Sequence, residues 1–252
     1  MLRDILKAPG LSLLSLLIFS TPGWAEREIL LEFQDGSEQK IRLPRESGEV
    51  RGVEIRDLSL PRTFLFSEEL SEEFEGRRLS SRWDWLREPR GHWVVREGQF
   101  HLTTTGTSFF GADNTAPLLY RRAPEGDFDA VTLVLASPRR RWEQGGIFLY
   151  QDDDNYIRVT HIGVGDESQI ESIQEIRGQP EGIRVETSSP SDVFLRIRVE
   201  GSLVETAHSA DGKQWTVVAR YFQTYPEPKI AISAFGRTGT PFAFDFIRLF
   251  VP

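Results

Sequence analysis

Short segments in which apolar and polar residues alternate recur along most of this chain of 252 residues. Because successive side chains of a β-strand point to opposite faces, alternation with a period of two predicts strands that are buried on one face. Clusters of glycine, proline, aspartate and asparagine separate these segments and predict tight turns. The sequence therefore predicts an all-β fold, with two curved antiparallel sheets packed face to face.

The predicted strands follow one another at the close spacing that is typical of a sandwich. They are His92–Arg96, Gln99–Thr103, Phe128–Leu135, Gly146–Gln151, Tyr156–Ile162, Ile170–Arg177, Ile183–Thr187, Val193–Glu200, Leu203–Ser209, Trp215–Tyr221, Lys229–Ala234 and Phe242–Val251.

Three of these strands predict which faces are buried. Residues 146–150 (GIFLY) are apolar at every position, which indicates a strand covered on both sides. In residues 193–199 (VFLRIRV), we expect Arg196 and Arg198 to face outward. In residues 244–250 (FDFIRLF), strict alternation places Phe244 on the same face as Phe246, Arg248 and Phe250.

The sequence of one segment is consistent with either a helix or a strand. Residues 67–75 begin with Ser67, a possible helix cap, and carry acidic residues in what would be the first turn. A short strand accounts for the same residues equally well.

Residues 1–25 have the pattern of a secretory signal peptide. Arg3 and Lys7 form a basic start, an apolar run follows from Leu11 to Ser20, and small residues stand at Gly23 and Ala25. The run is about half of the roughly 20 apolar residues that a spanning helix needs. We expect cleavage after Ala25, a secreted or periplasmic product, and no membrane span once the signal is removed.

Residues 26–62 form a predicted β-extension before the main domain. Glu28–Gln34 and Glu38–Leu43 flank Asp35-Gly36, which is a strong signal for a β-hairpin. Val53–Ile55 and Leu58–Leu60 also resemble strands. The extension could add a hairpin to the main sheet or serve as a docking element.

Composition excludes several classes of function. The chain has no cysteine, which rules out disulfides, thiolate nucleophiles and cysteine-based metal sites. Its net charge of −8 argues against nucleic acid as a partner. The four histidines lack zinc-site spacing and no phosphate-binding loop is present, so we expect no cofactor and no metal. The acidic residues 152–155 suggest a calcium site, but Tyr156 and Ile157 stand where an EF-hand loop needs an oxygen ligand and a glycine, so the sequence favours a hairpin turn.

Three stretches resemble a known family. They are residues 73–95, with EFEG, WDW and HW; residues 116–128, with APLL and GDF; and residues 144–158, with QGGIFLY and DDDNYIR. Together they resemble the concanavalin A-like jelly-roll domain found at the C-terminus of bacterial β-xylosidases, and its stand-alone relatives of unassigned function. The resemblance covers about residues 63–252. It implies a lectin- or glucanase-like sandwich that acts as a carbohydrate-associated module, and it transfers no catalytic residue because those of the β-xylosidases lie on a separate domain.

Candidate ligand-binding residues combine aromatic rings with planar polar groups, which suit the C–H faces and hydroxyls of sugars. Tyr156 and Arg158 share a strand face, and Glu171 and Glu175 could face them from a neighbouring strand. The candidate set is Trp85, Trp142, Tyr150, Tyr156, Arg158, His161, Glu171 and Glu175.

Three functions stay open from the sequence. The first is a non-catalytic module that binds a glycan on the concave face of the sandwich. The second is a structural or protein-interaction module of the cell envelope, whose partner the sequence does not identify. The third, a glycoside hydrolase, needs two carboxylates about 5–10 Å apart, whereas Glu171 and Glu175 would lie about 13 Å apart along one strand.

Overall fold

The computed structural model describes residues 63–187 and 191–252, together with the backbone of three earlier strands. It divides into two units, Met1–Thr63 and Phe64–Pro252. In the first unit, β1 (Leu13–Ser20), β2 (Arg27–Phe33) and β3 (Glu38–Leu43) form an antiparallel sheet in that order. The β2–β3 pair is the hairpin predicted around Asp35-Gly36. The predicted strands at 53–55 and 58–60 lie outside the described residues.

The second unit contains the strands of the main domain. They are β4 (Leu65–Glu72), β5 (Asp84–Leu86), β6 (Trp93–Arg96), β7 (Gln99–Thr103), β8 (Phe109–Phe110), β9 (Asp113–Asn114), β10 (Leu118–Arg122), β11 (Phe128–Leu135), β12 (Gln144–Asp152), β13 (Asn155–Gly163), β14 (Ser168–Ile176), β15 (Gln179–Glu186), β16 (Asp192–Glu200), β17 (Leu203–Ser209), β18 (Thr216–Phe222), β19 (Lys229–Phe235) and β20 (Pro241–Val251).

Two large antiparallel sheets carry these strands, which confirms the predicted all-β sandwich. One sheet has seven strands in the order β15-β14-β13-β12-β19-β10-β5. The other has eight, in the order β18-β17-β16-β11-β20-β7-β6 with β4 paired to β20. A separate hairpin, β8–β9, completes the domain. The described residues contain no helix that is long and apolar enough to cross a membrane.

Apolar side chains from both sheets meet in one core. In strand β12, alternate side chains point to this core and to the opposite face of the seven-stranded sheet. Ile147 and Leu149 join the core, whereas the alternate residues Phe148 and Tyr150 belong to a second apolar cluster. Both faces of β12 are therefore covered, as its continuous apolar run predicts.

The outward-facing arginines of β16 are less exposed than expected. Arg196 is buried, with its guanidinium carbon 4.5 Å from the centre of the Trp215 ring and an ion pair of 2.8 Å to Glu205. Arg198 is half-buried and pairs with Asp129 at 2.5 Å. Both point away from the core, but charged partners and aromatic rings cover them.

The alternation predicted for residues 244–250 is wrong in the structure. The pairing of β20 with β11 shifts between Thr132 and Val134, which marks a β-bulge. Phe244, Ile247 and Leu249 consequently lie in the core together, and Phe246 is on the outer face. A single extra residue in a strand exchanges its two faces, so a strict period of two fails across the bulge.

The segment at residues 67–75 is not a helix. It forms most of β4, which pairs with the C-terminal part of β20. The Ser71 hydroxyl accepts a hydrogen bond of 3.0 Å from the Leu249 amide. Tertiary pairing with β20 therefore decides between the two local possibilities.

Candidate functional site

The outer face of the seven-stranded sheet, opposite the core, has two halves. One half is an aromatic cluster that the β8–β9 hairpin covers. The other half is an open pocket bordered by the loop before β12. The predicted ligand-binding residues divide between these halves and the core.

Phe109 of the hairpin seals the aromatic half. Its ring centre lies 4.8 Å from that of Tyr156, in an edge-to-face arrangement that aromatic pairs favour. The Tyr156 hydroxyl donates to Glu175 at 2.6 Å, and the Gly111 amide donates to the same carboxylate oxygen at 3.0 Å. Burial raises the pKa of Tyr156, so its hydroxyl stays a hydrogen-bond donor. Glu175 thus ties the hairpin to the sheet.

At the other edge of the aromatic cluster, Arg87 links the segment after β9 to the turn between β12 and β13. It makes a two-pronged ion pair with Asp153, at 2.9 Å, and donates to the carbonyl of Ala116 at 2.7 Å. The Tyr150 hydroxyl also donates to Asp153, at 3.0 Å. Tyr150, Tyr156 and Glu175, all candidate ligand-binding residues, are consequently buried beneath or beside the hairpin.

The open half forms a pocket of about 780 Å³. It lies within the range of volumes typical of small-molecule sites. Its lining residues are Gly106, Thr107, Ser108, Phe109, Phe110, Arg140, Arg141, Trp142, Gln144, Arg158, Glu171, Arg184, Phe235, Gly236, Arg237 and Thr238.

Three neighbouring strands, β13, β14 and β15, supply the charged base of the pocket. The buried Arg158 donates to Glu171 at 2.9 Å and also to Gln144. Glu171 stands opposite Arg184 in the strand register, and Arg184 donates to its second oxygen at 2.7 Å. The guanidinium of Arg158 also lies 5.3 Å from the centre of the Phe235 ring. Both oxygens of Glu171 are therefore neutralised by arginine.

Trp142 stands at the mouth of the pocket with 47% of its surface exposed. Its backbone has a φ of +73°, a conformation that costs a bulky residue about 1–3 kcal/mol. The surrounding structure holds it there. The Trp142 amide donates to the Gly163 carbonyl at 3.0 Å, and the neighbouring Glu143 is buried and pairs with Arg140.

Two arginines flank the Trp142 ring. The guanidinium of Arg184 lies 5.0 Å from the ring centre and that of Arg141 lies 5.6 Å from it. Both distances suit cation–π attraction. The Trp142 ring therefore holds the guanidinium groups of Arg141 and Arg184 near the mouth of the pocket.

Trp85 and His161 lie elsewhere. Trp85 packs against the core, with its ring centre 5.5 Å from that of Trp93. His161 is fully buried on the core face of β13, which it shares with Ile157 and Val159. Burial, with a smaller contribution from His208, lowers the pKa of His161 to about 4. Of the candidate residues, Trp142, Arg158 and Glu171 line the pocket.

Two prominent lining residues were not among the candidates. Arg184 sits directly across from Glu171 on a predicted strand, so correct strand pairing would have indicated it. Phe110 is 52% exposed and follows the buried Phe109. Nothing local in the sequence distinguishes these two phenylalanines, because the β8–β9 hairpin alone sets which one is covered.

The acidic turn at residues 152–155 is held largely by hydrogen bonds among its own residues. Asp152 accepts hydrogen bonds from the Asp154 amide at 3.0 Å and from the Asn155 side chain at 2.8 Å. Asp153 is occupied by Arg87. The described residues contain no group of three or more metal-ligating side chains.

Comparisons with known proteins agree on this architecture. The family profile of the β-xylosidase C-terminal concanavalin A-like domain matches residues 71–243. A search among curated proteins found no match.

Solved structures with the same fold include a GH43 protein, BlXynB, from Bacillus licheniformis, at 17% identity and a TM-score of 0.67, covering 94% of this chain and 53% of that one. A xylan β-1,4-xylosidase from Bacillus halodurans has 16% identity and a TM-score of 0.64, covering 93% and 52%. A functionally unknown protein from Saccharomyces cerevisiae has 18% identity and a TM-score of 0.60, covering 68% and 97%. The chain thus spans about half the length of the two Bacillus proteins.

Proposed function

Because this chain belongs to the family of β-xylosidase C-terminal concanavalin A-like domains, we propose that it is a non-catalytic module that binds a glycan in the open pocket of its seven-stranded sheet. The observation that carries this proposal is the composition of the pocket wall. Phe110 and Trp142 are both exposed, and they border a base of Arg158, Glu171 and Gln144. Exposed rings next to planar polar groups suit a ligand with both C–H faces and hydroxyls.

The backbone strain and the exposure of Trp142 support a binding role. Trp142 adopts a strained backbone conformation and nevertheless exposes about half of its surface. Neither feature stabilises the fold, since exposure forfeits the free energy of burying the indole. Strain of this kind clusters at ligand sites, where the surrounding structure maintains it.

The pocket favours binding over hydrolysis. Among its described lining residues, Glu171 is the one carboxylate, and two arginines neutralise it. The general mechanism of glycoside hydrolysis uses a proton-donating acid and a second carboxylate across the scissile bond. Glu171 lacks such a partner in the pocket wall.

We also propose that the protein acts outside the cytoplasm, on the basis of the pattern at residues 1–25. Mass spectrometry of the protein from the periplasm or medium should give a mature N-terminus at Glu26. Recovery of an unprocessed chain from the cytoplasm alone would contradict export.

An array of neutral and acidic oligosaccharides tests the binding role. We expect at least one oligosaccharide to bind, and Phe110→Ala and Trp142→Ala each to weaken that binding by about fivefold or more, the usual cost of truncating an important contact. Phe66→Ala is the matched control, since Phe66 is equally exposed at 50% but lies on β4, outside the pocket. Absence of binding to the whole array, or equal loss in all three variants, would overturn the proposal.

A further inference from the structure

We infer that the pocket selects an anionic saccharide, one that carries a carboxylate or a sulfate group; this inference rests on the proposed glycan-binding function. The lining residues include five arginines, Arg140, Arg141, Arg158, Arg184 and Arg237, against the single carboxylate of Glu171. A pocket for a neutral sugar has no need for this imbalance, because uncharged hydroxyls need no net countercharge.

The ion pairs of these arginines show which of their positive charges are not neutralised by a carboxylate. Arg158 and Arg184 share Glu171, and Arg140 pairs with Glu143 just outside the pocket. Arg141 and Arg237 are exposed, and neither has a carboxylate partner in the part of the chain that the structure describes. The pocket consequently keeps an excess of positive charge.

The position of this charge suits a ligand entering from solvent. Arg141 and Arg184 both lie over the Trp142 ring, which restrains their guanidinium groups at the mouth. A restrained planar guanidinium binds an oxyanion through two parallel hydrogen bonds and loses less conformational entropy in doing so.

The charge of the whole molecule limits the size of such a ligand. The chain has a net charge of −8, so the pocket is a local positive region on an acidic protein. The net negative charge of the chain opposes the binding of long polyanions, whereas a short chain with one or a few anionic groups can enter the pocket. The inferred ligand is therefore a short acidic oligosaccharide.

Titration calorimetry with three matched probes tests this inference: an oligosaccharide of uronic acids, the same oligosaccharide with its carboxyl groups reduced to alcohols, and a sulfated neutral oligosaccharide. We expect the reduced probe to bind at least about tenfold more weakly than an anionic one, as for loss of a charge-assisted hydrogen bond. Comparison of the uronic and sulfated probes distinguishes the two anionic groups. Added salt should weaken anionic binding.

Two arginine variants place this selectivity in the pocket. Arg141→Gln and Arg237→Gln should each lower affinity for the anionic probe by about tenfold, and each should cause a smaller loss of affinity for the reduced probe. Arg139→Gln is the control, since Arg139 is also exposed and adjoins the pocket arginines in sequence but does not line the pocket. Equal binding of charged and reduced probes would overturn the anionic preference and leave glycan binding intact. Absence of binding by every probe and by the wider array would overturn both.

Discussion

At the scale of single residues, glycines determine where the pocket wall can lie. Gly236 has a φ of +107°, and a Cβ there would approach the Trp142 carbonyl oxygen more closely than the 3.0 Å that real Cβ atoms keep. Gly163 makes a similarly close approach to the carbonyl of Arg140. The loop that carries Trp142 therefore packs directly on backbone that has no side chain.

We expect Gly236→Ala to lower the free energy of unfolding by about 1–3 kcal/mol more than Gly239→Ala, because the added methyl group must displace the Trp142 loop. Gly239 has a comparable φ of +92° with open space around it, so its variant carries the backbone cost without the collision. Urea unfolding of both variants measures the difference. Equal destabilisation would contradict the packing described here.

At the scale of elements, the β8–β9 hairpin decides which part of the sheet is accessible. It contributes Phe109 to the aromatic cluster and leaves Phe110 at the pocket. Its attachment depends on Glu175, whose Oε2 accepts from Tyr156 and from the Gly111 amide, while Oε1 has no partner among the described residues. The Asn114 side chain also donates to the Asp153 carbonyl at 3.0 Å, so polar contacts on two sides hold the hairpin.

Tyr156→Phe should therefore loosen this hairpin. Removing the hydroxyl leaves the buried Glu175 with a single donor, and we expect a loss of about 1–3 kcal/mol in stability. The Gly111 amide should also exchange faster with solvent, as hydrogen-exchange NMR can show.

Tyr120→Phe is the control for this experiment. Tyr120 also packs against the aromatic cluster, but its hydroxyl makes no hydrogen bond within the described residues. Similar losses in both variants would indicate that the Tyr156–Glu175 contact does not secure the hairpin.

At the scale of the whole molecule, the two sheets enclose ionisable groups as well as apolar ones. His161 of the seven-stranded sheet faces the core, near His208 of the other sheet. Neither ring nitrogen of His161 has a hydrogen-bond partner among the described residues. Burial lowers the pKa of both histidines, so the folded sandwich holds them neutral.

This burial predicts that acid destabilises the sandwich. The pKa of His161 falls from 6.5 to about 4 on folding, so the unfolded chain binds a proton first as the pH drops. Above about pH 7, His161 is neutral in both the folded and the unfolded chain, so it does not change the free energy of unfolding. As the pH falls from about 6.5 to 4, protonation of the unfolded chain lowers the free energy of unfolding by up to about 3 kcal/mol. His161→Leu should remove this part of the pH dependence, measured by urea unfolding across that range, while His208 retains its own share. The exposed His92→Leu should keep the full dependence, and an unchanged slope in His161→Leu would contradict the assignment.

The sequence by itself determined the class of fold, most strand positions and the shared face of Tyr156 and Arg158. These depend on local alternation and on turn residues, which act over a few positions along the chain. Only the tertiary structure decided that β4 is a strand, that a bulge reverses the faces of β20, and that Arg184 joins Glu171 while Trp85 and His161 enter the core. It also decided that Tyr150, Tyr156 and Glu175 are covered by a hairpin and that Trp142, Arg158 and Glu171 border open space. Such outcomes depend on which distant segments pair and on which loop packs over a given face. Both are determined by contacts between residues far apart in the chain, which local sequence patterns do not encode.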